Sequence, residues 1–142
     1  MFNRANAMQH EEVTKLIIGC AFEVVNELGS GFLESVYENA LCLALKHAGL
    51  HVERQRPINV MFRGECVGAF YADLFVENAV IAELKAVKVL TPEHSAQIIH
   101  YLIATRIDVG LLINFGNAKL EFKRFFRRTN RDEQDQQDKP MI

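Results

Sequence analysis

Asp73, Glu83 and Lys85 are the residues whose types and spacing suggest chemistry. Each lies inside an apolar run, Phe70-Tyr71-Ala72-Asp73-Leu74-Phe75-Val76 or Val80-Ile81-Ala82-Glu83-Leu84-Lys85-Ala86-Val87. Both runs read as β-strands. Burying an unpaired charge costs several kcal/mol or more, so such groups are normally paired or bound to a metal. Two carboxylates and a lysine so placed can hold a hard divalent cation with a water beside it. Mg²⁺ or Mn²⁺ suits oxygen ligands, and Mg²⁺ is typically held by one or two carboxylates plus water and substrate phosphate. The backbone carbonyl of Leu84 is a candidate third ligand, and Lys85 would orient a water or stabilise phosphate charge. The alternative is a structural ion pair between strands.

Strand parity makes the metal reading testable. Alternate residues of a strand share a face, so Glu83 and Lys85 point the same way with Ile81 and Val87. Val80, Ala82, Leu84 and Ala86 make the opposite face wholly apolar, so it must be covered. A two-residue turn at Glu77-Asn78 would put Asp73 on the face opposite Glu83. A three-residue loop, Glu77-Asn78-Ala79, would set the two carboxylates directly across from each other. The metal site requires the odd loop or a β-bulge that restores parity.

The elements that must position these residues follow from periodicity. Val13, Leu16, Ile17, Cys20, Ala21, Val24 and Leu28 repeat at helical spacing and predict a helix from His10 to Leu28, closed by Gly29. A second helix is expected from Phe32 to Ala48, ended by Gly49. On its wheel, at about 100° per residue, Glu34 falls inside the apolar arc between Leu41 and Leu45, and Glu38 just outside it. Glu34 is therefore expected to point inward, as a third carboxylate reaching the same site or else as a favourable charge in a first helical turn. Tyr37 also lies in the arc, where packing with a tethered hydroxyl is the default.

The period then changes to two. Val52 to Arg63 predicts one strand, or two interrupted near Pro57. Cys66 to Val76 and Val80 to Val87 complete a meander. Thr91-Pro92 opens a third helix running to Thr105, with Thr91 as N-cap and Pro at the first position. That helix carries Gln97 and Tyr101 at i,i+4 on one stripe, with His94 a turn earlier. The stripe either reaches the site or marks a boundary with solvent, and His94 reads as a helix-start residue. Asp108 to Asn114 is a buried strand parallel to Val80 to Val87, and Leu120 to Phe126 a final edge strand. One domain over residues 10–127 is expected, with 128–142 a disordered polar tail.

Composition bounds the rest. The chain has 142 residues, 49% of them hydrophobic and 24% charged, enough for one domain with a real core. A net charge of −2 argues against strong non-specific nucleic-acid binding, which usually shows as a basic domain. Lys119, Lys123, Arg124, Arg127 and Arg128 form a local basic run, read as a solvated strand edge with phosphate contact as the alternative. Cys20, Cys42 and Cys66 are few and widely spaced, without a CxxC pair. With no signal-peptide pattern and no apolar run of membrane-spanning length, a cytoplasmic setting without membrane contact is expected.

Together these residues resemble a known family. Gly31-Phe32-Leu33-Glu34-Ser35-Val36-Tyr37 matches the signature of the GxxExxY proteins, within the PD-(D/E)XK nuclease superfamily. Tyr71-Ala72-Asp73-Leu74 and Ala82-Glu83-Leu84-Lys85-Ala86 look like that family's other core motifs. Gln97 with Tyr101 resembles the Q-x-x-x-Y element of one branch. Ala72 stands where the superfamily often has proline. The resemblance covers roughly Glu12 to Arg127. It implies an α/β (α+β) restriction-endonuclease-like core, with helices flanking a mixed sheet. It also implies Asp73 and Glu83 as ligands of Mg²⁺ or Mn²⁺, Lys85 as the site lysine and Glu34 as an added acid. Gln97, Tyr101 and Tyr37 would contact substrate or support the site. The implied chemistry is hydrolysis of a phosphodiester bond in nucleic acid, DNA ahead of RNA, alone, as a homodimer or with a protein partner. A catalytically silent binding or assembly module of the same fold is the alternative.

Overall fold

The computed structural model describes residues 6–127. The expected tail at 128–142, including Arg128 of the basic run, lies outside the described residues. Helix α1 spans Asn6–Leu28, starting four residues before the expected His10. Val13, Ile17, Cys20, Ala21 and Val24 are buried as their spacing requires, whereas Leu16 and Leu28 face solvent. Helix α2 spans Glu34–His47. It ends as the glycine predicted: Gly49 takes φ +88°, its N–H donates to Lys46 O, and the Leu50 N–H donates to Leu45 O. This paired arrangement satisfies two carbonyls the helix leaves unmatched.

Five strands follow: β1 Val52–Phe62, β2 Glu65–Val76, β3 Val80–Lys85, β4 Val109–Asn114 and β5 Glu121–Phe126. They form one mixed sheet in the order β1-β2-β3-β4-β5. Only β3 and β4 are parallel, and helix α3, Pro92–Thr105, crosses between them. This is the expected α+β architecture, and β1 is one strand rather than two. Pro57 is tolerated because β1 lies at the sheet edge. On the opposite edge, Arg127 of the basic run is paired to Asp108 at 2.9 Å. No helix among the described residues is long and apolar enough to cross a membrane.

β3 stops at Lys85, two residues short of expectation, because a side chain takes over its pairing. Fully buried Asn114 accepts the Val87 N–H at 3.0 Å and donates to Val87 O at 2.8 Å. Gly116 backs this contact, since a Cβ there would lie 2.0 Å from Val87 O. The chain leaving β3 is thus clamped to the end of β4.

The sheet has unequal faces. Leu74, Val76, Val80, Ala82, Leu84, Leu111 and Ile113 join α1 and α2 in the main core. Phe70, Ala72, Phe75, Ile81 and Leu102 form a smaller cluster under α3. Strand β2 changes sides between the two: Phe70 and Ala72 pack under α3, but Leu74 and Val76 pack under α1 and α2. β1 does the same, with Val52 in the main core and Ile58 and Val60 packed under α3. The β1–β2 register stays constant across the change, from Arg54↔Leu74 to Arg56↔Ala72. The residues between those pairs are Gln55, in the left-handed region at φ +47°, and Asp73. The ribbon therefore turns over at Asp73.

Candidate active site

The turn between β2 and β3 is the odd one. Glu77 and Asn78 both take positive φ, and Val76 pairs with Val80 across a three-residue loop. Two further pairs follow, Phe75↔Ile81 and Leu74↔Ala82, and the ladder stops one pair short of Asp73 and Glu83. There carboxylates replace backbone pairing. Asp73 Oδ2 accepts the Leu84 N–H at 2.8 Å, and Glu83 Oε2 lies 3.4 Å from the Asp73 N–H. The strands part where the charged residues begin, leaving a polar gap inside the sheet.

The Leu84 carbonyl faces the same gap. In a strand, the peptide groups of one residue point to one neighbour and those of the next residue to the other. Lys85 O accepts the Phe115 N–H, beyond β4, at 2.8 Å. The Leu84 groups consequently point toward β2, where its N–H meets Asp73.

The gap is electrostatically strained. Burial, then the neighbouring Asp73 carboxylate, pushes the Glu83 carboxyl up from 4.5 to about 9. Glu83 Oε1 is buried and has no hydrogen-bond partner among the described residues. Such an oxygen is rare in folded proteins and points to a missing ion or water. Two hard oxygen donors, one of them unpartnered, with a backbone carbonyl alongside, fit a divalent cation that carries its own waters. Among the described residues no three His, Cys, Asp or Glu side chains converge as a ready-made cage. Lys85, on the same strand face as Glu83, forms no ion pair among the described residues.

Glu34 departs from the wheel. It is exposed, and the helix starts at Glu34, with Leu33 an extended N-cap at φ −68° and 77% exposed. A wheel begun at Phe32 therefore counted two residues that are not helical. The carboxyl still borders the gap. It is raised by partial burial and then by Asp73, and Lys85 opposes that rise. Tyr37, expected near substrate or in support, is fully buried against Phe115, with ring centroids 4.7 Å apart. Its hydroxyl donates to Gly29 O at 2.6 Å and accepts the Phe32 N–H at 3.3 Å. It has no surface for a substrate and instead fixes the link that aims Glu34. Gly31 takes φ +112° in that link, a region L side chains rarely adopt. Gly31 and Tyr37 thus act on the same link, the one that precedes Glu34.

On α3, Gln97 donates to the Tyr101 hydroxyl at 2.7 Å. The Tyr101 ring stacks on Phe70, and its hydroxyl is raised by burial and then by Glu83. The pair therefore lies within the field of the carboxylates. His94 caps its own helix, its Nδ1 accepting the Thr91 N–H at 3.1 Å.

Sequence reasoning missed the residues that hold the site from outside. Gln55 donates to Asp73 Oδ1 at 3.2 Å and to Glu38 Oε1 at 2.8 Å. Arg54 pairs with Glu38 at 3.2 Å and bonds Asn39. Glu38, just outside the apolar arc of its helix, was the only signal of this bridge, since nothing local links it to β1. Asn114 offered one signal, an amide ending a run of buried apolar residues.

A family model described as the PD-(D/E)XK nuclease superfamily matches residues 11–125. No curated protein matches the chain. Among solved structures, one titled "Crystal structure of SSO0001" is similar at 15% identity and a TM-score of 0.49, over 72% of this chain. The match spans 56% of that protein's length. The residues matched by the family model contain the whole sheet up to Phe125, all three helices from Glu11 onward and every residue of the gap, and the chain belongs to the PD-(D/E)XK nuclease superfamily.

Proposed function

We propose that this protein is a metal-dependent nuclease of the GxxExxY branch that hydrolyses phosphodiester bonds of nucleic acid, DNA ahead of RNA. The observation that carries the reading is the buried, unpartnered Glu83 oxygen across from Asp73, with Lys85 on the same face. Asp73, Glu83 and the Leu84 carbonyl would hold Mg²⁺ or Mn²⁺. Such an ion supplies Lewis acidity toward a phosphoryl oxygen and a more acidic bound water. Lys85 holds a positive charge toward the phosphate and orients the attacking water through its N–H groups. Glu34 draws the Lys85 ammonium toward the gap. Gln97 and Tyr101 present an amide and a hydroxyl to the phosphate from α3. Gln55 keeps Asp73 in place. Three free cysteines, two of them buried, fit a reducing cytoplasm.

A second reading, a silent nuclease-fold module acting with a partner or a second copy, is favoured by the net charge of −2. Cleavage of single- and double-stranded DNA and RNA in Mg²⁺ or Mn²⁺ separates the two. The nuclease reading expects Lys85→Ala and Asp73→Ala to lower cleavage by about 10²–10³-fold, the usual scale for losing a charge-stabilising group. Equal cleavage by all three proteins would mean contamination and remove the enzyme reading. Absence of metal binding in calorimetry would favour the module.

A further inference from the structure

A cavity of about 770 Å³ lies between the β1–β2 ribbon and the end of α3, and no role has been assigned to it. Arg56, Arg63 and Arg106 line it, and no carboxylate among the described residues does. Three guanidinium groups at one cavity stand out in a chain of net charge −2. Its floor includes Ile58, Phe75 and Ile107, apolar surface of the kind that seats sugars and bases rather than bare ions. Arg63 and Arg106 are exposed and form neither ion pairs nor side-chain hydrogen bonds among the described residues. The Arg63 guanidinium lies over the Phe62 ring at 4.9 Å, and that of Arg56 over Phe75 at 4.9 Å. Arg56 is partly neutralised by Glu53 at 3.0 Å. Arg106 caps α3 in the left-handed region, at φ +61°. A helix C-terminus carries roughly half a negative charge. Arg106 more than balances it, Glu53 offsets Arg56, and Arg63 is left in excess.

The cavity adjoins the gap. Arg56 directly follows Gln55, whose amide touches Asp73. Thr105, also in the lining, bonds Tyr101 O at 2.7 Å, one helical turn away. Successive phosphates advance by about 3.4 Å along each strand of a B-form helix. A strand with one phosphate at Asp73 and Glu83 therefore reaches the cavity within a few nucleotides.

We propose that this cavity seats the sugar-phosphate backbone of the nucleic-acid strand flanking the bond to be cut, with Arg63 and Arg106 as phosphate contacts. The assignment rests on the nuclease reading above, and its test is kept separate from it. Binding of fluorescein-labelled single-stranded and duplex DNA and RNA is measured with Mg²⁺ in Lys85→Ala protein, with and without Arg63→Ala and Arg106→Ala. The expected result is at least a tenfold loss of affinity on every sequence. The slope of log affinity against log salt should fall by about one per arginine removed. Melting temperatures of the two proteins should agree, because both side chains are exposed. Unchanged affinity and slope would overturn the proposal, and so would failure of every strand to bind. Displacement of the strand by inorganic phosphate at similar concentration would make the cavity a small-anion site and overturn it as well. Cleavage by Lys85→Ala equal to that of wild type would instead remove the nuclease reading, whatever the arginines do.

Discussion

The two faces of the sheet are built to different ends. Under α1 and α2, Leu74, Ala82, Leu84 and Leu111 are completely buried and meet Ile17, Leu41 and Leu45, which are equally inaccessible. Under α3 the buried cluster has five members against 22, and polar groups begin at its border. The same strands serve both faces, so one alternation of side chains sends apolar residues to the thick core and Glu83 and Lys85 to the thin one. The difference shows how a partly buried carboxylate pair is tolerated. Adverse electrostatics at one face are offset by apolar burial at the other, at about 25 cal/mol per Å². Where β2 and β1 exchange faces, backbone pairing gives way and Asp73 is free to take the Leu84 amide.

The comparison breaks first on core truncation. Leu41→Ala, on the thick face, should cost about 2–5 kcal/mol of stability in urea titration. Leu102→Ala, on the thin face, should fall at the low end of that range. Equal costs would mean that the two faces share the work of holding the fold.

The next largest effect is a pH dependence set by Glu83. Its folded-state carboxyl titrates at about 9 against 4.5 for the ordinary group, so the folded state binds the extra proton between those values. Stability is then fully present below about pH 4.5 and is lost as pH rises through 9. In chelator, wild type should lose stability relative to Glu83→Gln from pH 5 to 9 by a few kcal/mol, on the order that linkage allows. Added Mg²⁺ should flatten the curve, because an ion replaces the proton. Parallel curves for the two proteins in chelator would show that Glu83 is not strained.

Tyr37→Phe sharpens the contrast at the Gly29–Phe32 link. Losing its two hydrogen bonds should cost about 1–2 kcal/mol. Cleavage should fall with it only if aiming Glu34 matters. Gln55→Gly has the smallest expected effect on stability, since glycine relieves the positive φ. It should lower cleavage about tenfold through loss of the bond to Asp73, a difference of about 1.4 kcal/mol. Cleavage unchanged in that variant would assign Gln55 to the ribbon turn alone.

Local residues made much of this legible. The parity argument needed only Glu77 to Ala79 and the alternation around Glu83, because a strand's period is fixed by covalent geometry. Thr91-Pro92 and Gly49 marked their helix ends for the same kind of reason. Glu34 was misplaced because a wheel gives only an angle, and Glu34 is the first helical residue, with no earlier turn to cover it. Gln55 was unreadable because its partners Glu38 and Asp73 are 17 and 18 residues away. A glutamine in a strand carries no mark of what it will meet across that distance.

By itself the sequence determined which side chains share a face, where the chain must turn, and that two carboxylates and a lysine stand in otherwise apolar strands. Only the tertiary structure decided that the ladder ends at Leu74 and Ala82, that the ribbon turns over at Gln55 and Asp73, and that one Glu83 oxygen is left without a partner. Periodicity is a property of neighbouring residues. Burial, and the fields that shift a carboxyl, depend on which distant segments close over it.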